Sequence, residues 1–560
     1  MSASIEFRLF APRIERAFLI GSFNSWQNIE MFKDNVTGEF STKINLDDGE
    51  YTYKFRILAR TESNKMIDII DPYATRVEED EKGAILMIKN GKKVNVNEYL
   101  WKYDEKSLPE NRDLIIYEIF IADFTEEGTF RSAITKLDYL AYDLGINCIQ
   151  LMPIQGFLLG HDWGYTIRHY FSVEPSYGSS EDLKSFIDEC HSRGIRVMID
   201  TVINHSHTEC PLNKIDPKYW YYKSPHHPEH PEEVWGPEFN YDFQDDQYGN
   251  IKPAMKFIED VIKFWIKEYH IDGLRFYAAK QIDSSELLKN MDNFDVLQHF
   301  DMISHSLRSP FYTVAEYIPG IGTLFKPYGP VDGVWRNIVL SFQNLFEFSG
   351  NNIFFDRFIQ IGDPAYEDKY SYATSVVNFC SCHDNERFLY LLHQINYFDD
   401  EAIKRIKIAI AWLMITVGLP LIWMGEEWCE DKIRGDKDPT RKINWSLLTK
   451  TSQRSLFELY RKLIAIRKSS LAIKSDNVTF LCHDSDTYIV AYHRWCNENN
   501  ESIVALFNLS LKDQQAYSIN NWPKNGRWQE LISQSEIQID NNEFSIDLKS
   551  YEFKIFAFKD

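Results

Sequence analysis

The chain has 560 residues, of which 44% are hydrophobic and 15% aromatic, a size and composition that suit two or three domains with large buried cores. Its formal net charge of -22 disfavours nucleic acid and anionic membrane surfaces as partners, so a neutral or cationic ligand is the better match. The 8 cysteines follow neither a disulfide framework nor a zinc-ligand spacing, and the N-terminal sequence lacks the basic and apolar runs of a secretory signal. We therefore expect a cytoplasmic protein with free thiols.

The first predicted domain is a small β-sandwich over residues 1–100. Apolar and polar positions alternate there between turn signals, as in AFLIGSFNSW and GEYTYKFRI, and no helical period is present. The polar segment 101–113 contains Pro109 and precedes a sharp change of pattern, so it is interpreted as a linker.

From residue 114 onward, short apolar strands alternate with amphipathic helical segments. The clearest strands are LIIYEIFI, INCIQLMP, IRVMIDTVINH, IDGLRFY, YTVAEY, VVNFCSCHD and LPLIWMGEE. This alternation predicts a parallel sheet closed into a (β/α)8 TIM barrel, an α/β fold, over residues 101–470.

Two further segments complete the predicted architecture. The apolar stretch 408–425 nearly reaches bilayer thickness, but Gly418 and Pro420 divide it into a buried helix and a short strand. Residues 471–560 return to alternating strands, as in DTYIVAYHRW and SIVALFNLS, and predict a second β-sandwich. The predicted barrel is therefore flanked by a sandwich on each side in sequence.

Polar side chains occur at the ends of several predicted barrel strands. In chain order they are Asp200, His205, Arg275, Tyr277, Glu316, His383 and Asp384. A single polar residue at a strand end is usually a solvated loop residue or a cap, but an ordered series on successive strands is more specific. Because the carboxyl ends of barrel strands converge on one face, we expect these side chains to line one pocket.

Four short regions around these residues resemble the signatures of the α-amylase superfamily, glycoside hydrolase family 13, and GPEFNYDF (236–243) resembles a fifth. GSFNSW, DGEYTYKFRI and DPYA resemble the family 48 carbohydrate-binding module. The stretches that begin at EEGTF and DWGY are most similar to glycogen branching enzymes and maltooligosyltrehalose trehalohydrolases. The resemblance implies a retaining glycoside hydrolase or transglycosylase acting on α-1,4 or α-1,6 bonds of glycogen or maltooligosaccharides. Hydrolysis, branching, debranching and trehalose release all stay open.

The resemblance also assigns roles to individual residues. Retaining cleavage needs two carboxyl groups about 5 Å apart, one as nucleophile and one as acid and then base. Glu316 is implied as the general acid/base, Asp384 as a third carboxylate, and position 277 as the nucleophile. The implied substrate-binding residues are Tyr165, Asp200, His205, Arg275 and His383. For Asp200 and Arg275, a structural ion pair is an equally open interpretation.

Neither a metal nor a cofactor is expected. Asn204 lies where some amylases bind calcium, but the family members most similar to this chain usually lack that ion. It is interpreted as a hydrogen-bonding residue. The expected partner is an α-glucan or maltooligosaccharide, and the oligomeric state stays open.

Tyr277 departs from the family pattern, which has Asp at this position, and residues 278–281 supply no replacement carboxylate. A phenol with its ordinary pKa near 10 needs a base before it can attack, and the ring fills space that a sugar would need. Asp272 lies an odd number of residues away and should face elsewhere, because strand side chains alternate. We therefore expect an inactive or strongly impaired site, whether Tyr277 is natural or introduced.

Three functions stay open at the level of sequence. The first is an α-glucan hydrolase or transglycosylase. The second is a catalytically silent glucan-binding protein, in which Trp26 either stacks on sugar or is a core or edge aromatic of the first sandwich. The third is a partner-binding scaffold, since fold does not fix function.

Overall fold

The structure is a computed structural model that describes residues 2–58, 65–78, 80–94, 99–157, 163–223, 234–282, 295–316, 329–347, 355–356, 359, 362, 372–432 and 442–559. The chain forms two compact units. The first unit comprises residues 1–107, 120–135 and 151–316, and the second comprises residues 108–119, 136–150 and 317–560.

Among the described residues, nine strands precede the barrel. They are Ala3–Phe10 (β1), Ala17–Gly21 (β2), Ile29–Glu30 (β3), Phe32–Lys33 (β4), Glu39–Leu46 (β5), Gly49–Leu58 (β6), Met66–Ile69 (β7), Ala84–Lys89 (β8) and Lys92–Val94 (β9). They form one antiparallel sheet in the order β1-β5-β4 and a second in the order β3-β2-β6-β8-β9, with β7 paired to β6. In β1 the alternate residues Ile5, Phe7 and Leu9 are buried, as a sheet with one core-facing side requires.

The next strands build the barrel. They are Ile116–Ile119 (β10), Cys148–Leu151 (β11), Gln155–Phe157 (β12), Ile167–Val173 (β13), Arg196–Thr201 (β14), Gly273–Phe276 (β15), Tyr312–Ala315 (β16), Gly333–Asn337 (β17), Val376–Phe379 (β18) and Leu419–Trp423 (β19). Strands β10, β11 and β14 to β19 form a closed barrel in chain order, and β12 and β13 form a separate antiparallel pair. The predicted barrel is confirmed.

Helices alternate with these strands. They are Ile121–Phe124 (α1), Phe130–Ile134 (α2), Ser180–Ser192 (α3), Pro211–Ile215 (α4), Pro217–Trp220 (α5), Pro253–Tyr269 (α6), Asp295–Leu307 (α7), Val339–Glu347 (α8), Phe388–Gln394 (α9), Asp399–Ile415 (α10), Thr451–Ser469 (α11) and Leu471–Lys474 (α12). A π-helical segment covers Tyr139–Leu144. Local sequence fixes several boundaries: the hydroxyl of Ser179 caps α3 by accepting from the amide of Asp182, and Pro253 begins α6.

The long apolar stretch contains a helix and a strand, as its Gly and Pro residues predict. Helix α10 ends at Ile415 and β19 begins at Leu419. Gly418 lies between them with φ +121°, and a Cβ there would lie 2.3 Å from the side-chain nitrogen of Asn378. Only glycine fits this connection. Among the described residues, no helix has both the length and the apolar character needed to cross a membrane.

The C-terminal strands are Val478–Asp484 (β20), Ile489–Cys496 (β21), Glu501–Asn508 (β22), Gln514–Ile519 (β23), Gly526–Glu530 (β24), Glu536–Ile539 (β25), Phe544–Leu548 (β26) and Phe553–Phe558 (β27). One antiparallel sheet has the order β20-β21-β22-β27-β24-β25, and β23 pairs with β26. Trp522, Trp528 and Phe556 are almost fully buried in a shared core. The chain thus has the predicted antiparallel sheets on both sides of the barrel in sequence.

Candidate active site

In the first unit, Arg275 links two acidic residues at the ends of neighbouring strands. Asp200 on β14 lies opposite Arg275 on β15, and both side chains are fully buried. Nη1 of Arg275 forms an ion pair with Oδ2 of Asp200, and Nη2 lies 3.1 Å from Oε2 of Glu316. The hydroxyl of Tyr165 donates to Oδ2 of Asp200 at 2.6 Å and accepts from Nη1 of Arg275 at 3.2 Å. Hydrogen bonds and ion pairs therefore link these four side chains into one group.

Glu316 follows directly after β16 and is held by main-chain as well as side-chain contacts. Its Oε2 accepts a hydrogen bond of 2.8 Å from the amide of Ala278. Ala278 has φ +43°, a left-handed conformation that turns the chain immediately after Tyr277 and aims its amide at the carboxylate. Within the described part of the chain, Oε1 of Glu316 has no hydrogen-bond partner.

Tyr277 lies in an aromatic cluster. Its ring centroid lies 4.5 Å from that of Tyr165 with an interplanar angle of 31°, 5.9 Å from that of Trp235, and 6.1 Å from that of His205. The guanidinium carbon of Arg275 lies 5.7 Å from the Tyr277 centroid. Tyr277 therefore covers one face of Tyr165, one of the implied substrate-binding residues.

His205 already has protein partners on both ring nitrogens. Nε2 lies 2.9 Å from the carbonyl oxygen of Tyr165, and Nδ1 lies 3.0 Å from Oδ1 of Asn204. The amide nitrogen of Asn204 in turn donates to Gln281 at 3.1 Å. For His205 to bind a sugar hydroxyl, as the sequence predicts, one of these contacts must break.

Asp272 is fully buried and occupied elsewhere. It receives hydrogen bonds of 2.8 Å from the amide of Val197 and from Nε of Arg308, and it lies 2.8 Å from Nε2 of His191. Burial acts to raise the pKa of Asp272, but the charges and hydrogen bonds of His191 and Arg308 outweigh it and lower that pKa. Asp272 therefore has a structural role and cannot replace the carboxylate missing at position 277.

In the second unit, His383 and Asp384 follow strand β18. His383 is buried, with Nδ1 2.8 Å from Oε1 of Glu118 and Nε2 3.3 Å from Oδ2 of Asp384. Its own amide donates to Oε2 of Glu118 at 3.2 Å. Burial alone lowers the pKa of His383, but Glu118 and Asp384 raise it to about 10. The ring is therefore a cation at neutral pH.

Cys382, His383 and Asp384 also offer three ligand atoms within 4.8 Å of one another. A histidine ligates a metal through a deprotonated ring nitrogen, whereas both nitrogens of His383 face carboxylates. These two contacts compete with ligation of a metal by the ring.

Of the eight side chains predicted to form the site, six lie in the first unit and two in the second. Tyr165, Asp200, Arg275, Tyr277 and Glu316 are linked by the contacts above, and His205 joins them through Tyr165 and Tyr277. His383 and Asp384 contact each other.

The family assignment follows from sequence comparison. Residues 107–444 match the alpha amylase catalytic domain. The chain belongs to the alpha-amylase family. Residues 1–74 match carbohydrate-binding module 48, the isoamylase N-terminal domain. The resemblance seen in the strand-end motifs and in the N-terminal strands is therefore confirmed.

The curated relatives described here are named after two activities, trehalohydrolase and branching enzyme. The chain is 29% identical to the malto-oligosyltrehalose trehalohydrolase of Saccharolobus solfataricus, over 59% of each chain. It is 24% identical to the 1,4-alpha-glucan branching enzyme of Nitrosospira multiformis, over 95% of this chain and 73% of the relative. A branching enzyme of Halothermothrix orenii is 30% identical over 50% of this chain and 44% of its own length.

Solved structures of the family share the architecture. The pullulanase of Anoxybacillus sp. LM18-11, complexed with maltotetraose, matches with a TM-score of 0.80 at 18% identity, over 99% of this chain and 86% of the pullulanase. Pullulanase type I of Bacillus subtilis, complexed with maltose, matches with a TM-score of 0.78 at 18% identity, over 100% of this chain and 84% of the pullulanase. At these identities the match establishes the fold alone.

Sequence reasoning missed Glu118 and Trp235. Glu118 is a charged residue in the middle of the otherwise apolar strand IYEI, and every residue of that strand is buried. A buried carboxylate needs a hydrogen-bonding or charged partner, so the charge within an apolar strand could have marked Glu118 as a residue of interest. Trp235 directly precedes GPEFNYDF and is 44% exposed, but nothing in the sequence placed it beside Tyr277.

Proposed function

We propose that this member of the alpha-amylase family binds α-glucan or maltooligosaccharides at its barrel and cleaves them weakly or not at all. The observation that carries the proposal is the position of Tyr277, whose ring lies 4.5 Å from Tyr165 where the family has an attacking carboxylate. The remaining site side chains are compatible with a sugar-processing site, so the defect is local.

Several findings support α-glucan as the ligand. The N-terminal region matches a carbohydrate-binding module, and related structures were solved with maltose or maltotetraose. Trp26 of that region is 38% exposed, so its indole is available to stack on a sugar face. The net charge of -22 suits a neutral ligand better than a polyanion.

The chemical argument for weak cleavage rests on the carboxylates that the first unit offers. Retaining cleavage needs a second carboxylate about 5 Å from the acid. Glu316 has a free oxygen for the acid/base role, but Asp200 is fully buried in an ion pair with Arg275. Asp200 therefore cannot reach a sugar carbon, and Tyr277 offers only a phenol, which needs a base before it can attack.

Cleavage assays on single substitutions test this proposal. We expect the wild-type chain to release products from amylose, glycogen and maltoheptaose near the background rate, and Tyr277→Asp to raise the rate by about three orders of magnitude or more. The double variant Tyr277→Asp, Glu316→Gln should fall back to background, because it lacks the acid. High wild-type activity that Tyr277→Asp leaves unchanged would disprove the proposal.

Binding is measured separately from cleavage. Titration calorimetry with maltoheptaose should detect binding to the wild-type chain. Tyr277→Phe keeps the ring and should bind like the wild type, whereas Tyr277→Ala uncovers the face of Tyr165 and should bind more tightly. No affinity in the wild type or in either variant would favour a scaffold over a glucan-binding protein.

A further inference from the structure

Glu118 holds His383 at two points. Oε1 lies 2.8 Å from Nδ1 of the ring, and Oε2 accepts from the backbone amide of the same residue at 3.2 Å. The amide nitrogen of Gln150 adds a third contact, 3.3 Å from Oε1. A carboxylate that binds both the ring and the main chain of one residue fixes the rotation of that ring as well as its position.

The burial of the Glu118 carboxylate is energetically unfavourable, which indicates that its contacts with His383 have a role. Glu118 lies on β10 with no exposed surface, and a buried carboxylate is strongly unfavourable unless it is paired. Here its hydrogen bonds are directed at His383 and supported by Gln150. A single hydrogen bond would be enough to join β10 to the loop after β18. Glu118 instead binds both the ring and the backbone amide of His383.

The opposite edge of His383 leads to an exposed carboxylate. Nε2 lies 3.3 Å from Oδ2 of Asp384, whose side chain is 41% exposed. The rings of Trp335 and Trp423 have centroids 6.0 and 6.3 Å from that of His383 and limit other positions of the imidazole. A continuous series of contacts therefore runs from a buried strand to a carboxylate that solvent can reach.

We propose that Glu118 is a positioning residue of the second unit, which orients Asp384, a carboxylate implied to bind glucan, through His383. The inference rests on the proposed glucan binding, and it assigns Glu118 an indirect role because the residue itself is buried away from any ligand. His383 then acts only as a hydrogen-bond donor at Nε2, towards Asp384 or a sugar oxygen.

Electrostatics around the ring agree with this role. Burial lowers the pKa of His383, and the charged groups that raise it are Glu118 on β10 and Asp384 in its own loop. Without Glu118, burial lowers the pKa of His383 with less opposition, so we expect the ring to lose its proton near neutral pH. Asp384 then loses its cationic neighbour. The contact that holds Asp384 from the His383 side is then weakened.

The test uses the full-length chain and Glu118→Gln, which keeps the shape of the side chain and removes its charge. Histidines are labelled selectively, and the ring signal of His383 is identified by its loss in His383→Gln. We expect the wild-type ring to stay protonated through pH 8. In Glu118→Gln the pKa should fall to or below the ordinary value of about 6.5. Affinity for maltoheptaose at pH 8 should fall about tenfold or more.

Glu427→Gln is the matched control. Glu427 is also fully buried and accepts hydrogen bonds of 2.9 Å from Tyr117 and Tyr139, but it does not pair with His383. Its substitution should change neither the titration of His383 nor the affinity at pH 8. If Glu118→Gln fails to fold, Glu118→Asp is used instead, which keeps the charge but shortens the reach.

The outcomes separate this inference from the proposed function. A His383 titration that is the same in Glu118→Gln and wild type overturns the inference, as does a shifted titration with unchanged maltoheptaose affinity. A wild-type chain that binds no maltoheptaose overturns the proposed function and, with it, the role of Glu118 in a glucan site. A shifted titration with weakened binding supports both.

Discussion

At the scale of single residues, Arg275 connects most of the predicted site residues of the first unit. Its guanidinium pairs with Asp200 and Glu316 and lies beside the ring of Tyr277. The sequence leaves a structural ion pair between Arg275 and Asp200 as one of two open interpretations, and the structure contains that pair. The sequence could not predict that Tyr277 packs on Tyr165, because that contact depends on the path of the loop that carries Tyr165.

Substitution of Asp200 tests the structural part of this group. Asp200→Ala leaves the fully buried guanidinium of Arg275 with Glu316 as its remaining acidic partner, so we expect the free energy of unfolding to fall by about 3 kcal/mol. Urea unfolding followed by circular dichroism measures it. Glu39→Gln removes one of the two acidic partners of the exposed Arg8 and should lower the free energy of unfolding by no more than about 1 kcal/mol. Equal effects for both variants would contradict a structural role for the buried pair.

Elements of the fold differ in how clearly the sequence shows them. Seven barrel strands are visible as short apolar runs between helical segments, but β17, Gly333–Asn337, is not. Its sequence GVWRN contains a glycine and two polar residues, so hydrophobic pattern alone does not mark it as a strand. Glu118 was missed for a different reason. Its apolar neighbours identify β10 as a strand, and the single charge does not change that prediction.

The connection between α10 and β19 gives a prediction at this scale. Gly418→Ala places a Cβ 2.3 Å from the side-chain nitrogen of Asn378 at φ +121°, and that nitrogen also donates to the carbonyl of Val417. We expect the free energy of unfolding to fall by roughly 2–4 kcal/mol, as measured by chemical unfolding.

Gly194 provides the control for Gly418. It has φ +71°, but a Cβ there would meet no atom within 4 Å. Gly194→Ala should therefore lower the free energy of unfolding by only about 1 kcal/mol, because alanine is less stable than glycine in a left-handed backbone conformation. If the two alanine variants are equally stable, the close contact with Asn378 is not what demands glycine at position 418.

At the scale of the whole molecule, the architecture could be predicted because periodicity and strand-end motifs agree over most of the chain. The barrel, the antiparallel sheets on both sides of it in sequence and the family are all confirmed. The detailed site could not be predicted, because packing decides which hydrogen bonds His205 makes and which face of Tyr165 is covered.

Global stability should depend on pH through Glu427. Burial raises the pKa of this carboxyl from its ordinary 4.5 to about 7. The folded chain therefore holds the proton more tightly than the unfolded chain. The resulting stability is complete below pH 4.5 and is lost as the pH rises to about 7, by an amount on the order of 3 kcal/mol.

Unfolding of wild type and Glu427→Gln at pH 5 and pH 8 measures this effect. The glutamine variant should lose less stability than the wild type between the two values, since its side chain does not ionise. Glu536→Gln, at an exposed position on β25, should behave like the wild type. Parallel pH profiles for wild type and Glu427→Gln would show that the carboxyl does not titrate in this range.

The amide of Ala278 has one more consequence. Because Glu316 is seated by a main-chain donor, no replacement of a neighbouring side chain removes that hydrogen bond while the turn keeps its shape. The seat of this carboxylate therefore does not depend on the side chain at position 277. Under the proposed function, Tyr277→Asp adds a carboxylate next to a turn that already holds Glu316 in place.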